Sequence, residues 1–416
     1  MKSDLDQLMQ EAELESLLVL GGVAHNASMA YFTGSANLSD GAIPTLTLKK
    51  RGQPPVLFHH AMERDEAART GLATKSLQDY DHLQLIREAG GDTVLATVRL
   101  LSRIFAEYQV AGRVALYGKV ELGPQFSAFS QLEESVPSIQ FVGESPNASV
   151  LTRARATKDA DEVERIRKIG QITTAVVGNV SEFLTSHHAK DGVLVNRQGE
   201  VLTIGEVKRR INLWLAMRGA ENPEGTIFSI GRDAGVPHST GQEGQPVEVG
   251  KTIIFDIFPT EVGGGYFYDF TRTWCLGFAP AEVAELYQDV LEVYEAVVLE
   301  LKVNAPCREF QVDTCKRFEE RGHPTILNTP RTTDGYVHGL GHGLGLDVHE
   351  RPSFSHLETN SDVLLPGTVF TFEPGLYYPE RGMGVRLEDT LWARPDGGIE
   401  VLAEYSKDLV LKVPGV

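Results

Sequence analysis

Four carboxylates stand where a β-strand is normally apolar. Asp256 lies in IIFDIFP, Asp269 in YFYDFTRTW, Glu373 in FTFEPG and Glu388 in GVRLED, each inside or beside an apolar, β-branched or aromatic run. A carboxylate in a strand interior is costly unless something positive meets it. One such residue reads as a cap or a salt bridge. Four of them, with His342 standing between the second and third on the glycine-rich track HGLGHGLG, ask for a shared cation, and for two rather than one.

Local turn chemistry brings these residues together in pairs. Asp256 and Asp269 flank PTEVGGG, and their numbering allows a direct cross-strand pair about a turn centred on Val262–Gly263. Opposed residues share a face with Cβ atoms roughly 4.5–5.5 Å apart. Carboxylates that close repel unless a cation lies between them or one is protonated. The alternative is a register in which they never meet, each bonded to backbone at a strand end. PGLYYPERGMG then supplies turn residues between TVFTFE and GVRLE, so a second antiparallel pair presents Glu373 and Glu388 on one face. Arg386 lies two positions before Glu388 on that face. A plain surface pair between those two would contribute little, but the flanks Phe370, Phe372, Val385 and Leu387 predict burial.

VHGLGHGLGLDVHE invites a helical HxxxH reading, but glycines at 339, 341, 343 and 345 each cost on the order of 1 kcal/mol in a helix. Read as a strand, it puts His338, Leu340, His342 and Leu344 on one face and glycine at every opposite position, which lets another backbone approach closely. The two histidines then lie about 13 Å apart at a rise of ~3.3 Å per residue. They cannot ligate the same ion, so one binds metal and the other, with His349, reaches toward substrate or supports the ligands. His238, in VPHSTG, reads by itself as a turn histidine. His59, His60, His187, His188, His323 and His356 stand outside the cluster and read as structural.

Four oxygen ligands and one imidazole favour a hard-to-borderline divalent ion, Mn²⁺ first, with Co²⁺, Fe²⁺ or Zn²⁺ as alternatives. Bridging carboxylates hold two such ions roughly 3.5–4 Å apart, where water loses a proton near neutral pH. The reaction class is hydrolysis of an acyl or phosphoryl bond.

Other classes are excluded by composition. A net charge of −18 lacks the basic footprint of a nucleic-acid binder. No run has the apolar length of a membrane span. The opening MKSDLDQLMQEAELES has no basic segment followed by an apolar one, and three cysteines (Cys275, Cys307, Cys315) without zinc-type spacing read as free thiols. The expectation is a cytoplasmic protein that binds neither nucleic acid nor membrane.

At 416 residues, two domains are expected. The first reads as α/β: a helix with Leu5, Leu8, Met9 and Ala12 on one face, strands at 17–20, 42–49, 56–59 and 114–117, helices over 93–110 and from 124, and MAYFTG between turn signals. A charged connector at 153–161 leads into a long helix with Val163, Ile166, Ile169 and Ile172 on one stripe, which places the boundary at about residue 155. Further helices are predicted over 206–218, 281–301 and 308–321, with strands after Gly250.

Asp256, Asp269, His342, Glu373 and Glu388, in this order and within DFTRT, HGLGHGLGLDVHE, FTFEPGLYY and GVRLEDT, resemble the dinuclear pita-bread metallopeptidases, the group of prolidase and aminopeptidase P. The likeness runs from about Arg153 to the C-terminus. The N-terminal half is similar to the creatinase/prolidase-type domain of that family, chiefly through YFTG. The resemblance implies an α+β chain, with residues 1–155 the creatinase/prolidase-like domain and 156–416 the pita-bread catalytic domain. It implies that Asp269 and Glu388 bridge two metal ions, that Asp256 holds one, and that His342 with Glu373 holds the other. Glu373 would also act as general base or proton shuttle. His338, His349 and His238 would orient the scissile carbonyl and stabilise the tetrahedral intermediate, and Arg386 would tether carboxylate ligands. The implied activity is hydrolysis of the bond before proline in Xaa-Pro dipeptides or short peptides, by a homodimer whose N-terminal domain aids assembly or covers the partner's cleft. One departure stands out: the link FPTEVGGG is longer than the usual glycine-containing one and carries Phe258–Pro259. Alternatives on the same scaffold are a hydrolase of another small amide or organophosphorus ester, and a catalytically silent binding module. Metal-free creatinase-type chemistry is disfavoured by the intact ligand set, and a methionine aminopeptidase by the substantial N-terminal domain.

Overall fold

Short apolar runs alternate with helical stretches through the first part of the chain. The computed structural model describes residues 4–146 and 148–416. Six strands, β1 (Ser16–Leu20), β2 (Leu46–Lys50), β3 (Val56–His59), β4 (Ala73–Ser76), β5 (Gly112–Gly118) and β6 (Ile139–Val142), form one sheet in the order β4-β3-β2-β1-β5-β6. β1 runs antiparallel to β2 and parallel to β5. It is buried along its whole length, as a continuous apolar run in a central strand should be. The helix Thr93–Glu107 starts where Asp92 accepts from the amides of Val94 and Leu95, and it buries Val98, Leu101, Ile104 and Phe105 at helical spacing. MAYFTG lies between turns at 24–25 and 34–35, but as a helix. It falls on the helix Ala27–Thr33, whose N-cap Asn26 accepts from Met29 N.

The chain divides into two compact units: the described residues through Arg155 together with Gly263–Gly265, and Ala156–Val262 with Tyr266–Val416. In the second unit the helix Ala160–Thr185 opens on a reciprocal cap between Asp159 and Glu162 and buries Val163, Ile166 and Ile169, with Ile172 half-buried. The helix Ile204–Met217 is capped by Thr203 and is followed by Gly219 at φ 74°.

Two ribbons carry the site, antiparallel throughout except that the short strand Val410–Leu411 runs parallel to its neighbour. A four-stranded sheet runs Thr226–Ile230, Thr252–Ile257, Phe270–Leu276, Val410–Leu411. A five-stranded sheet runs Glu350–Ser353, His342–Gly343, Val369–Phe372, Asp389–Ala393, Ile399–Val401. The hairpin Gly375–Tyr378/Met383–Arg386 extends the second ribbon, and Glu388 N donates to Thr271 O at 3.1 Å, joining the sheets. The helices Ala281–Glu300 and Cys307–Glu320 pack Val290, Val293, Val297 and Phe318 into one core with Phe370, Phe372, Leu387 and Leu391. Each fully buried side chain of that size contributes about 1.5–3 kcal/mol. Strand alternation then sends Thr371, Glu373, Arg386 and Glu388 to the opposite face. The apolar side of each strand therefore anchors a charged side that would not hold together alone.

Candidate metal centre

The Glu373–Glu388 pairing predicted from turn residues is present. Phe372 opposes Asp389 in one ladder and Gly375 opposes Arg386 in the next, so the register carried through places Glu373 opposite Glu388. At that point the ladder opens. Glu373 N donates to Leu340 O at 2.9 Å and Glu388 N to Thr271 O at 3.1 Å. The two side chains share a face while their backbones stitch neighbouring segments to the ribbon.

The first aspartate pair departs from expectation. Asp256 opposes Thr271, Ile257 opposes Phe270, and the same register reappears at Thr260–Phe267. The turn is thus centred on Gly263–Gly264, one residue later than expected, because the two glycines supply consecutive positive φ angles of 84° and 86°. Asp269 shifts by two positions and sits diagonal to Asp256. A shift of two preserves side-chain parity, so both aspartates remain on one face.

The histidine segment is not an extended strand. Only His342–Gly343 pairs as one, with bends on either side. The glycines do admit close backbone approach: a Cβ on Gly341 would lie 2.0 Å from Thr371 O, and one on Gly343 2.0 Å from Arg351 O. Bending brings both imidazoles to one carboxylate. His342 Nε2 is 3.4 Å from Glu373 Oε1, and His338 Nδ1 is 4.0 Å from Glu373 Oε2.

Asp269, His342 and Glu388 offer ligand atoms all within 4.8 Å of one another. His342 Nδ1 lies 3.0 Å from Gly343 O, which only accepts, so Nδ1 carries the proton. The Nε2 lone pair of the neutral ring therefore faces Glu373 Oε1 at 3.4 Å and Asp269 Oδ2 at 3.8 Å. Asp256 sends Oδ2 to Arg386 Nη2 at 2.5 Å, while its buried Oδ1 has no hydrogen-bond partner. Lone pairs aimed at lone pairs, and an orphaned buried carboxylate oxygen, form a donor set that a cation would satisfy. Burial, then the charges of Asp256 and Glu373, push Asp269 well above the usual carboxylate range. Burial, then Asp269 and Glu373, do the same to Glu388. Burial raises Glu373 to about 7. One guanidinium does not balance four carboxylates, and the residues present fit divalent ions.

Arg386, a tether in the expected role, also donates to Tyr377 Oη at 2.8 Å. Having accepted that bond, Tyr377 turns its own proton to His338 Nε2 at 2.8 Å, while His338 Nδ1 donates to Gly339 O at 2.7 Å. Both nitrogens of His338 are thus engaged. Burial and the Arg386 charge hold its pKa down at about 3, and burial with His349 holds His342 at about 4. His349 lies tilted against His342 with ring centroids 4.3 Å apart, and it and His238 stand at the exposed rim of the same pocket. The pocket has a volume of about 390 Å³, and Ile227, Pro237, Phe258 and Val348 supply its apolar wall. All nine residues singled out from sequence line it. His323, by contrast, sits between Tyr378 Oη and Asp289, and His187 bonds Phe183 O.

Sequence reasoning missed the supporting residues. Thr271 Oγ1 donates to Glu388 Oε2 at 2.6 Å, and Thr371 Oγ1 to Glu373 Oε1 at 3.3 Å. Arg272 pairs with Asp389 at 2.7 Å, both buried, and Lys407 and Tyr294 reach the same carboxylate at 2.7 and 2.6 Å. The available signal was alternation: in DFTRT and RLEDT threonines Thr271 and Thr390 share the phase of the ligands, while a charge, Arg272 or Asp389, occupies the phase opposite each ligand. Lys158 and Glu350, 2.8 Å apart and both buried, hold the turn that carries His349, since Glu350 Oε1 also accepts from Leu346 N.

A family model described as Metallopeptidase family M24 matches residues 164–395, more than half of the chain and every residue of the cluster. The chain is 29% identical over 249 residues to the Xaa-Pro dipeptidase of Pyrococcus furiosus, covering 60% of this chain and 63% of that protein, so it spans less than two thirds of that relative. The crystal structure of the X-Pro aminopeptidase from Thermotoga maritima superposes with a TM-score of 0.73 at 22% identity, over 98% of this chain and 100% of that one. The prolidase from Pyrococcus horikoshii gives 0.72 at 21% identity, over 98% of each chain. At such identities the likeness is one of fold, and the fold is the pita-bread type that the resemblance implied.

Proposed function

The chain belongs to metallopeptidase family M24, and from that membership we propose that it is a metal-dependent exopeptidase hydrolysing the bond before proline in Xaa-Pro dipeptides or short peptides. The observation that carries this reading is the convergence of Asp256, Asp269, His342, Glu373 and Glu388 on one pocket, with the Oδ1 of Asp256 unpartnered and the Nε2 of His342 turned toward carboxylate oxygens. In this reading Asp256, Asp269, His342, Glu373 and Glu388 would together hold two divalent ions, with Asp269 and Glu388 shared between them. Divalent cations held there supply Lewis acidity, which lowers the pKa of water and polarises a carbonyl.

The chain's own groups do the rest. The Glu373 carboxylate takes a proton from the attacking water and returns it to the proline nitrogen, a tertiary amide nitrogen that must be protonated to leave. The water oxygen bonds to the acyl carbon as the C–N bond breaks, so one water is consumed and a free carboxylic acid and a secondary amine are released. His349, pushed toward neutrality chiefly by burial, and His238 have ring N–H groups available for the carbonyl oxygen as it gains charge. His338, with both nitrogens engaged, positions rather than touches. Its chain of bonds through Tyr377 to Arg386 holds Asp256 and the wall of the pocket in place. A bond before proline lacks an N–H, so an apolar wall such as Phe258, Pro237 and Ile227 serves recognition better than a hydrogen-bond acceptor would.

The same reading takes residues 1–155 as the creatinase/prolidase-like domain, 156–416 as the catalytic domain, Mn²⁺ as the ion, and a homodimer as the working form. A reducing compartment such as the cytoplasm is supported by three cysteines that are buried and form no disulfide. Among the described residues no helix is long and apolar enough to cross a membrane. The test is a panel of Xaa-Pro dipeptides and Xaa-Pro-Xaa tripeptides assayed with Mn²⁺ or Co²⁺ and again after chelation. Turnover that chelation abolishes is expected. Absence of turnover on every member, while the metal demonstrably binds, would remove the reading.

A further inference from the structure

The charges lining the pocket are all accounted for by the cluster except one. Arg386 is the one Lys or Arg among the described lining residues, and it is committed to Asp256, Tyr377 and Pro237 O. Four carboxylates face the metal centre. Glu224 remains: an exposed side chain on the lip of the pocket, in the turn that precedes the strand Thr226–Ile230, with no hydrogen bond or ion pair to any described residue. Its charge reaches His349, so it lies on the substrate side of the pocket rather than facing bulk solvent alone. Ile227 and Val348 line the same pocket with apolar surface, and Ile227 is the residue directly opposite Asp256.

An apolar wall that ends in a free carboxylate matches the shape of a lysine or arginine side chain, whose methylene stem packs on apolar surface and whose head seeks an anion. On the reading that the scissile bond precedes proline, the residue after the bond is fixed, and the variable side chain belongs to the residue before it. We propose that Glu224 is a specificity residue that selects a basic side chain on the residue preceding the scissile bond. The acidic chain as a whole, at −18, adds attraction for a cationic peptide and repulsion for one with an added carboxylate. This inference rests on the Xaa-Pro reading for the position of the bond, but not for the cation preference of the site.

The test compares Lys-Pro with norleucine-Pro, which has the same α-amine and a similar stem but no side-chain charge. In the Mn²⁺-loaded protein kcat/KM is expected to favour Lys-Pro by about two- to fivefold, the range for an exposed ion pair. The preference should shrink to near unity in Glu224→Gln, and Glu224→Lys should turn it toward Glu-Pro. A second arm needs no turnover: by calorimetry the loaded protein binds free L-lysine more tightly than L-norleucine, and Glu224→Gln removes the difference. Equal losses on Lys-Pro and norleucine-Pro in Glu224→Gln would place Glu224 on the α-amine and overturn the proposal, as would a ratio that the substitution leaves unchanged. If no Xaa-Pro substrate is cleaved while lysine still outbinds norleucine through Glu224, the hydrolytic reading fails and the cation preference stands. Cleavage of Xaa-Pro substrates with no preference for lysine in either arm sinks the preference alone.

Discussion

Glu388→Gln is expected to reduce activity by about 10³-fold or more, equivalent to about 4 kcal/mol of barrier, and to lower the bound metal measured by elemental analysis. The amide keeps the shape and still accepts from Thr271 Oγ1, which bonds Glu388 Oε2 at 2.6 Å. What it loses is the charge and one of the oxygens that lie with Asp269 and His342 inside a 4.8 Å cluster. The same substitution has an opposite effect on the metal-free protein. Glu388 is buried against Asp269 and Glu373, which repel it, so neutralising it should raise the melting temperature of the chelated protein at pH 7 above that of the chelated wild type. A side chain that merely supports the fold would lower it. His349→Ala is the contrast: a rim residue, its loss should slow turnover while both ions stay bound. Metal lost from His349→Ala and kept by Glu388→Gln would reverse the ligand assignment.

Metal removal is expected to make stability depend on pH with an unusual sign. Burial raises the carboxyl of Glu373 from an ordinary 4.5 to about 7, and burial with mutual repulsion raises Asp269 and Glu388 as well. A carboxyl that binds its proton more tightly in the folded state contributes its full stability below the unfolded pKa and loses it as pH rises through the folded one. The chelated protein should therefore lose stability between about pH 4.5 and 7 from Glu373, with losses of the same sign from Asp269 and Glu388 that begin above their ordinary values of 3.8 and 4.5. Mn²⁺ competes with those protons, so its stabilising effect should grow across the same window, reaching about 4 kcal/mol per ion at a thousandfold excess over Kd. Thermal denaturation from pH 5 to 8, with chelator and with Mn²⁺, checks this. A chelated protein whose stability is flat or rises over that range, or a Mn²⁺ effect independent of pH, would contradict it.

How much of this was legible in the chain depended on whether local rules sufficed. Glu373 and Glu388 faced each other as expected because one turn and one alternation determine their register, and both ladders around them keep it. Asp256 and Asp269 were placed on the right face but two positions out, since three consecutive glycines leave the turn centre undetermined until the backbone chooses φ 84° and 86° at Gly263 and Gly264. The histidine track failed as a strand for a tertiary reason. Its glycines make way for Thr371 O and Arg351 O, and the segment bends to fit them. Long helices such as Ala160–Thr185 were readable because a reciprocal cap and an apolar stripe agree. The buried Arg272–Asp389 pair was not, because its partners lie 117 residues apart and periodicity does not report such contacts. Nor did periodicity identify the short helix Ala27–Thr33, whose start depends on a single Asn26 cap.

Two cations sharing one cluster are tested most directly by anomalous scattering from crystals grown with Mn²⁺. Two peaks roughly 3.5–4 Å apart, between the carboxylates of Asp256, Asp269, Glu373 and Glu388 and the Nε2 of His342, are the predicted result. A single peak, or ions bound at other residues with these five side chains still holding each other as they are, would contradict it.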